Sequence, residues 1–167
     1  MGTIDLSRLR IGDGVTSDYK RCDLSSSDVI RSLSAFAEEN FRGILSLDVE
    51  GSEGGIITIC ADGLAFFLKM LLYRVFGRAE IKATVVGERR EFHITFDLCG
   101  VQIERDGLLE IAERSGFKGE VIDEYKIRLS TPVKRTHALR VYAGDADAIS
   151  RALYTVFFIN FDNAKSE

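Results

Sequence analysis

Sustained hydrophobic periodicity first appears near residue 26. Val29, Ile30, Leu33, Phe36 and Ala37 recur at three- and four-residue intervals and form one apolar stripe. Ser25 or Ser26 is placed to accept a hydrogen bond from an orphan amide at the helix start, and Asp28 suits the first turn. The spacing predicts a helix from about Ser27 to Asn40. Beyond Gly43 the pattern becomes extended: Ile44 to Val49 and Ile56 to Cys60 flank Glu50-Gly51-Ser52-Glu53-Gly54-Gly55. Two apolar runs around a glycine cluster predict a β-hairpin. Because these glycines sit between strands, their amides do not reinforce a helix N-terminus as a phosphate cradle would.

Helical spacing returns from Asp62 to Phe76, with Leu64, Phe67, Leu68, Leu71, Leu72 and Val75 on one side, Asp62 as the natural cap and Gly77 as the stop. Ala79, Ile81, Ala83 and Val85 then alternate with polar residues, and after Gly87-Glu88 so do Phe92, Ile94 and Phe96, which predicts two half-buried antiparallel strands. Asp106 is placed to cap a short helix through Leu108, Leu109, Ile111 and Ala112, ending at Gly116. A short strand around Glu120 to Ile122 and a longer one through Ile127, Leu129, Thr131 and Val133 follow. Pro132, the one proline, requires an edge or terminal position because it cannot donate to the ladder. Ala138 to Ala143 reads as extended. Ile149, Ala152, Leu153, Val156 and Phe157 predict a terminal amphipathic helix capped by Asp145 or Asp147. There is no internal repeat and no low-complexity segment.

Length and composition narrow this picture to one domain. The chain has 167 residues, 46% of them hydrophobic, and a formal net charge of -4. A domain of this size buries roughly 70% of its unfolded surface and needs no metal or disulfide to supply a core. The mild acidity gives no footprint for nonspecific nucleic-acid binding. Met1 to Arg10 contains no signal-peptide core, and the apolar runs Leu64 to Leu72 and Leu153 to Ile159 are far shorter than the ~20 residues that span a bilayer. A cytoplasmic location without membrane insertion is expected. Cys22, Cys60 and Cys99 match neither a disulfide framework nor a CxxC pair, and are expected to be reduced thiols, at least two of them packed.

The order helix, hairpin, helix, hairpin, short helix, hairpin between Cys22 and Val133 resembles the ATP-binding domain of sensor histidine kinases, the GHKL or Bergerat fold. Cys22-Asp23-Leu24-Ser25 looks like the opening segment of that domain, and Ile59-Cys60-Ala61-Asp62 looks like the strand leading into its N-box helix. Phe96-Asp97-Leu98-Cys99-Gly100-Val101 is similar to its D-x-G-x-G segment, and Gly107-Leu108 through Pro132-Val133 to its last helix and closing hairpin. The resemblance covers about two thirds of the chain. It implies an α/β (α+β) two-layer sandwich, with a mixed, mainly antiparallel sheet and helices on one face. It also implies a partition into an N-terminal extension (1–21), a lidless core (22–133), and an added strand and amphipathic helix (134–167).

The chain departs from the family where chemistry is concentrated. The family's N-box helix supplies an Asn to magnesium and phosphates. Here Leu64 to Phe76 contains no Asn, Asp, Glu, Gln or His, and the Asn positions fall on Met70 and Arg74 or on Leu72 and Phe76. Asp97 stands where the family's Asp accepts the adenine amino group, but Cys99 and Val101 occupy the glycine positions unless Gly100 substitutes for one. Only Gln102 to Arg105 remain where an active kinase has its glycine-rich lid. Asp97, Cys99 and Gly100 are therefore expected as vestigial nucleotide-site positions, with no catalytic residue, metal or cofactor. Asp97 reads more readily as an exposed strand-end carboxylate or turn cap, and Cys99 as a packed thiol.

Outside that segment, His93 alternates with Phe92 and Ile94 and is expected to face away from their core, while His137 has no partner at catalytic spacing. Lys126, Arg128, Lys134, Arg135 and Arg140 fall on one side of the last strands, as a solvated face or as a patch for an acidic protein. Phe157, Phe158, Ile159 and Phe161 place apolar side chains on more than one helix face, which calls for packing on the N-terminal extension or for a homodimer. The expected function is a noncatalytic protein-interaction or regulatory module in bacterial-type signalling, with an unidentified protein partner. The alternative is an ATP- and magnesium-binding phosphotransfer protein, kinase-like or anti-sigma-type, using Asp97 for the base and Lys69 or Arg74 for phosphates. A histidine phosphotransfer protein would need an upstream helical hairpin, for which residues 1–21 are too short.

Overall fold

The computed structural model describes residues 20–51, 55–75, 81–87, 91–99, 106–134 and 145–159. Seven strands and four helices occur among them: β1 (Cys22–Ser25), α1 (Ser26–Asn40), β2 (Leu45–Gly51), β3 (Ile56–Ile59), α2 (Ala61–Val75), β4 (Ile81–Gly87), β5 (Glu91–Asp97), α3 (Asp106–Arg114), β6 (Lys118–Asp123), β7 (Lys126–Pro132) and α4 (Ala148–Tyr154), which runs into a π-helical turn at Thr155–Ile159. The main sheet is five-stranded in the order β2-β4-β5-β7-β6, with β1 and β3 forming a separate two-stranded sheet. The β2–β4 pair is parallel and the other main-sheet pairs are antiparallel. This is the expected mixed, mainly antiparallel α+β architecture.

The β4–β5 and β6–β7 hairpins form as predicted. The hairpin predicted for 44–49 and 56–60 does not. Both segments are strands, but β2 pairs parallel with β4, and β3 pairs antiparallel with β1. A parallel pair needs a crossover connection, and β3 together with α2 supplies it. Ile56, Ile57 and Ile59 are all buried, so β3 hides both of its faces. A glycine-rich segment between two apolar runs fits either outcome, and long-range pairing decides between them.

Ala83, Ile94, Phe96, Ile127 and Leu129 turn one sheet face into the core. Register aligns the opposite face in cross-strand rows such as Thr84, Thr95 and Arg128. Pro132 ends β7 opposite Glu91, beyond Ser130 where β6 pairing stops, so a terminal position is what it takes. On the core face, Phe67 of α2 lies on Phe96 with ring centroids 5.6 Å apart, and α3 packs beside α2 and over β6.

Two helix starts differ from expectation. Ser25 is the N-cap residue of α1, but its side chain makes no capping bond; instead the Ser26 amide donates to Gly55 O at 3.0 Å. The start of α2 lies one residue earlier than predicted, and the Cys60 thiol, not Asp62, accepts there, taking the Gly63 amide at 3.3 Å. The thiol at this position caps the first turn in the geometry that hydroxyl and carboxylate side chains usually provide.

The terminal helix packs on α1 and α2. Phe36 of α1 gathers Phe41, Tyr154 and Phe157 at centroid distances of 5.6, 5.2 and 5.0 Å. The Tyr154 hydroxyl donates to Glu39 Oε2 at 2.6 Å and accepts from Asn40 Nδ2 at 3.3 Å. Before α4, the Asp145 carboxylate accepts the Asp147 amide and the Arg151 guanidinium. The predicted strand 138–143, the stop at Gly77, residues 1–19, and Phe161 lie outside the described residues.

Gly116, where α3 turns into β6, has φ +100°, and a Cβ there would sit 2.9 Å from Thr58 O. Gly43 has φ +83° with nothing within 4 Å of the same position. Gly43→Ala bears only the backbone strain, about 1 kcal/mol, whereas Gly116→Ala must also displace β3 and should cost roughly 2–3 kcal/mol. Chemical denaturation of the two variants measures the difference.

Candidate functional site

Asp97 is the last residue of β5, in register with Lys82 of β4 and Lys126 of β7. The next residue, Leu98, is fully buried, and its amide donates to Tyr125 O at 2.8 Å. The chain then reverses. The Cys99 amide donates to Asp97 Oδ1 at 3.0 Å, an Asx turn, and Cys99 takes φ +53°. That left-handed conformation costs a non-glycine residue about 1–2 kcal/mol. A cysteine thus holds a glycine-like backbone at the position the resemblance assigns to glycine, steadied by the Asp97 carboxylate. Gly100 and residues 101–105 lie outside the described residues.

The thiols need correction. Cys99 is exposed, not packed, because Leu98 takes the interior place and the reversal turns the following side chain outward. Cys22 is exposed as well, which leaves Cys60 as the one buried cysteine. Burial is the largest influence on both Cys22 and Cys60 and pushes each thiol above its ordinary pKa, away from the thiolate form.

Along α2 every side chain from Leu64 to Leu72 is buried. Met70 and Leu72, two of the positions that the resemblance aligns with a metal-ligating Asn, are 7% and 2% exposed; the Arg74 side chain and Phe76 lie outside the described residues. Lys69, expected under the alternative reading to hold phosphate, is 2% exposed, and its Nζ donates to Val156 O in the π turn at 3.3 Å. The correction follows from the covering layer: α4 and its π turn lie on α2, so Lys69 points into an interface. Burial pushes the Lys69 amine below its usual pKa and the Asp62 carboxyl above its own. Among the described residues no group of three or more His, Cys, Asp or Glu is placed to hold a metal.

Other candidates stay apart from one another. His93 is half-buried on the outer face of β5, as expected, with Nδ1 3.8 Å from Glu91 Oε1. Lys126 lies 4.0 Å from the Asp123 carboxylate, Arg128 Nε donates to Thr95 Oγ1 at 3.4 Å, and Lys134 Nζ donates to Asp23 Oδ1 at 2.9 Å. Each of these cations is engaged by a neighbouring strand or turn, with Lys134 reaching across to β1. Arg135, His137 and Arg140 lie outside the described residues. A cavity between α1, α2 and the sheet has only apolar walls, among them Leu33, Leu68 and Phe96, and offers nothing to orient a nucleotide. An open groove of about 590 Å³ runs past Arg21, Glu113, Lys118 and Pro132, at the edge of the sheet.

The feature missed from sequence is the third layer. The apolar spacing predicts one buried side for α2, but Ala65, Phe66 and Met70 are buried too. Apolar residues on every side of a helix are the sign that another element must cover it.

No protein-family model matches the chain, and no curated protein matches it. Solved structures do. The nucleotide-free catalytic domain of histidine kinase ThkA is 14% identical, with 68% of this chain and 95% of that one covered and a TM-score of 0.49. The ATP-binding domain of PrrB from Mycobacterium tuberculosis is 17% identical over 70% and 99%, with a TM-score of 0.46. The cytoplasmic segment of histidine kinase QseC is 14% identical over 75% and 80%, with a TM-score of 0.45. The chain is similar in fold to histidine-kinase ATP-binding domains, and its chemistry must be argued from its own residues. No helix among the described residues is long and apolar enough to cross a membrane.

Asp97→Asn keeps the acceptor that the Cys99 amide uses and should change stability by less than about 0.5 kcal/mol, whereas Asp97→Ala removes it and should cost about 1 kcal/mol. Denaturant midpoints of the two variants test this. Asp23 is held below its usual carboxyl pKa first by the Thr58 hydroxyl and then by Lys134. Its contribution is therefore complete above the unfolded value near 3.8 and is lost as pH falls through the lower folded value. Asp23→Asn should flatten the acid limb of a stability–pH curve below about pH 4 and leave its slope near neutrality unchanged.

Proposed function

We propose that this chain is a noncatalytic histidine-kinase ATPase-like module that has lost nucleotide binding and acts by contacting another protein in signalling. The observation that supports this reading is the closed face of α2. Met70 and Leu72 are buried and Lys69 is engaged by Val156 O, so these positions offer no oxygen ligand to magnesium and no cation to a phosphate. Asp97 Oδ1 is engaged with its own turn. The alternative, an ATP-binding phosphotransfer protein with Asp97 as the adenine contact, loses Lys69 as its phosphate ligand.

The C-terminal segment offers a contact surface. Tyr154 is 36% and Phe158 43% exposed, with their rings 5.5 Å apart. Charges of both signs adjoin it: Glu39 bonds Tyr154 across the fold, and Arg151 precedes Tyr154 by one turn. A two-fold contact sets a patch against its own copy, which a rim of one sign would oppose. A second copy of this chain is the occupant proposed.

Isothermal titration of the chain with ATP and magnesium should give no saturable heat; micromolar binding would overturn the loss of nucleotide chemistry. Analytical ultracentrifugation should show a dimer that Phe158→Ser converts to monomer, and a wild-type chain that remains monomeric at high concentration would remove the second copy as partner.

A further inference from the structure

We propose that the β6 edge of the main sheet receives an extended segment of a partner protein, added antiparallel to β6, with a carboxylate on Arg21 and Lys118 and an apolar side chain on Ile122. β6 is the last strand in the sheet order, and among the described residues it pairs with β7 alone. The outer side of such a strand carries a row of backbone N–H and C=O groups that an extended chain can pair. Antiparallel addition continues the arrangement of β7 and β6. This surface differs from the Tyr154 and Phe158 patch and does not rest on the loss of nucleotide chemistry. The groove beside it includes Pro132, which pairs with Glu91 at the start of β5, whereas Asp97 ends that strand.

Side chains along the edge select the segment. The groove of about 590 Å³ has Arg21, Lys118 and Ser130 among its walls, with Glu113 as the acid. The Arg21 guanidinium donates to Glu113 O at 3.3 Å and keeps further N–H groups for a second acceptor. Ser130, opposite Lys118 in the ladder, is 5% exposed, and neither its hydroxyl nor the Lys118 ammonium has a partner among the described residues. The cations outnumber Glu113, so this end favours an anionic group. Farther along β6 the charge reverses at Glu120 and Asp123, which would repel a second carboxylate. Between these two the ladder skips Ile122, a bulge of the kind that re-aims a side chain, and Ile122 is 39% exposed. Lys118 and Ile122 stand about 13 Å apart at ~3.3 Å per residue. An antiparallel segment that fits both carries its apolar residue first and its acidic residue four places later.

Fluorescence anisotropy of the full chain with the dye-labelled peptide Thr-Ile-Thr-Val-Thr-Glu-amide tests this. Binding should saturate below about 1 mM, and the same peptide with Lys in place of Glu should bind about fivefold more weakly. Lys118→Glu should reverse that preference, and Ile122→Ser should weaken binding of the Glu peptide by about threefold. Both side chains are exposed, so these variants leave the core intact. Phe158→Ser should bind the peptide as wild type does, which separates this site from the terminal patch. No saturable binding, equal binding of the two peptides, or an unchanged preference in Lys118→Glu would overturn the site. Wild-type binding in Ile122→Ser would overturn the apolar contact, and loss of binding in Phe158→Ser would overturn the β6 placement.

Discussion

The structure depends on one constraint: α2 is apolar all the way round. From Leu64 to Leu72 it has no side that water can wet, so it must be covered above and below. The sheet supplies one cover, through contacts such as Phe67 on Phe96, α3 lies alongside, and α4 with its π turn supplies the other. The π turn leaves Val156 fully buried and Phe157 half-buried among the rings around Phe36, while Phe158 stays at the surface. Lys69 is the polar exception in this stack, and the Val156 carbonyl is placed to receive it.

The same constraint shapes the candidate site. A helix that presents ligands to a metal or phosphate needs a polar side open to a cleft, whereas every side chain of α2 from Leu64 to Leu72 is buried. At the end of β5 the chain keeps a tight reversal, but the Asp97 carboxylate steadies the left-handed Cys99 from within. The turn forms with a thiol-bearing residue in the left-handed conformation that glycine adopts more readily.

A second joint holds the small sheet to the large one. The Cys60 amide bonds Ser115 O after α3, Lys134 N bonds Ile56 O, and Lys134 Nζ shares Asp23 Oδ1 with the Thr58 hydroxyl. Gly116 sits where these strands and the end of α3 meet, with its hydrogen toward Thr58 O. Lys134, which its place along the last strand assigns to a solvated face or a basic patch, is thus part of this seam.

Local periodicity determined the helices α1, α2 and α3, the β4–β5 and β6–β7 hairpins and the terminal place of Pro132, because apolar spacing and turn residues act over a few neighbours and report directly on which side of an element is buried. The lack of Asn, Asp, Glu, Gln and His from Leu64 to Phe76 and the presence of Cys99 and Val101 after Asp97 were equally legible, since both are statements about residue identity. What only the tertiary structure decided was partnership: β2 beside β4 and β3 beside β1, the exposure of Cys22 and Cys99, and the engagement of Lys69 under the terminal helix. A glycine-flanked apolar strand is compatible with several neighbours, and a lysine on a helix is compatible with water or with a carbonyl across an interface. Which one it meets depends on how distant segments share the task of covering apolar surface, and short-range pattern carries no record of that division.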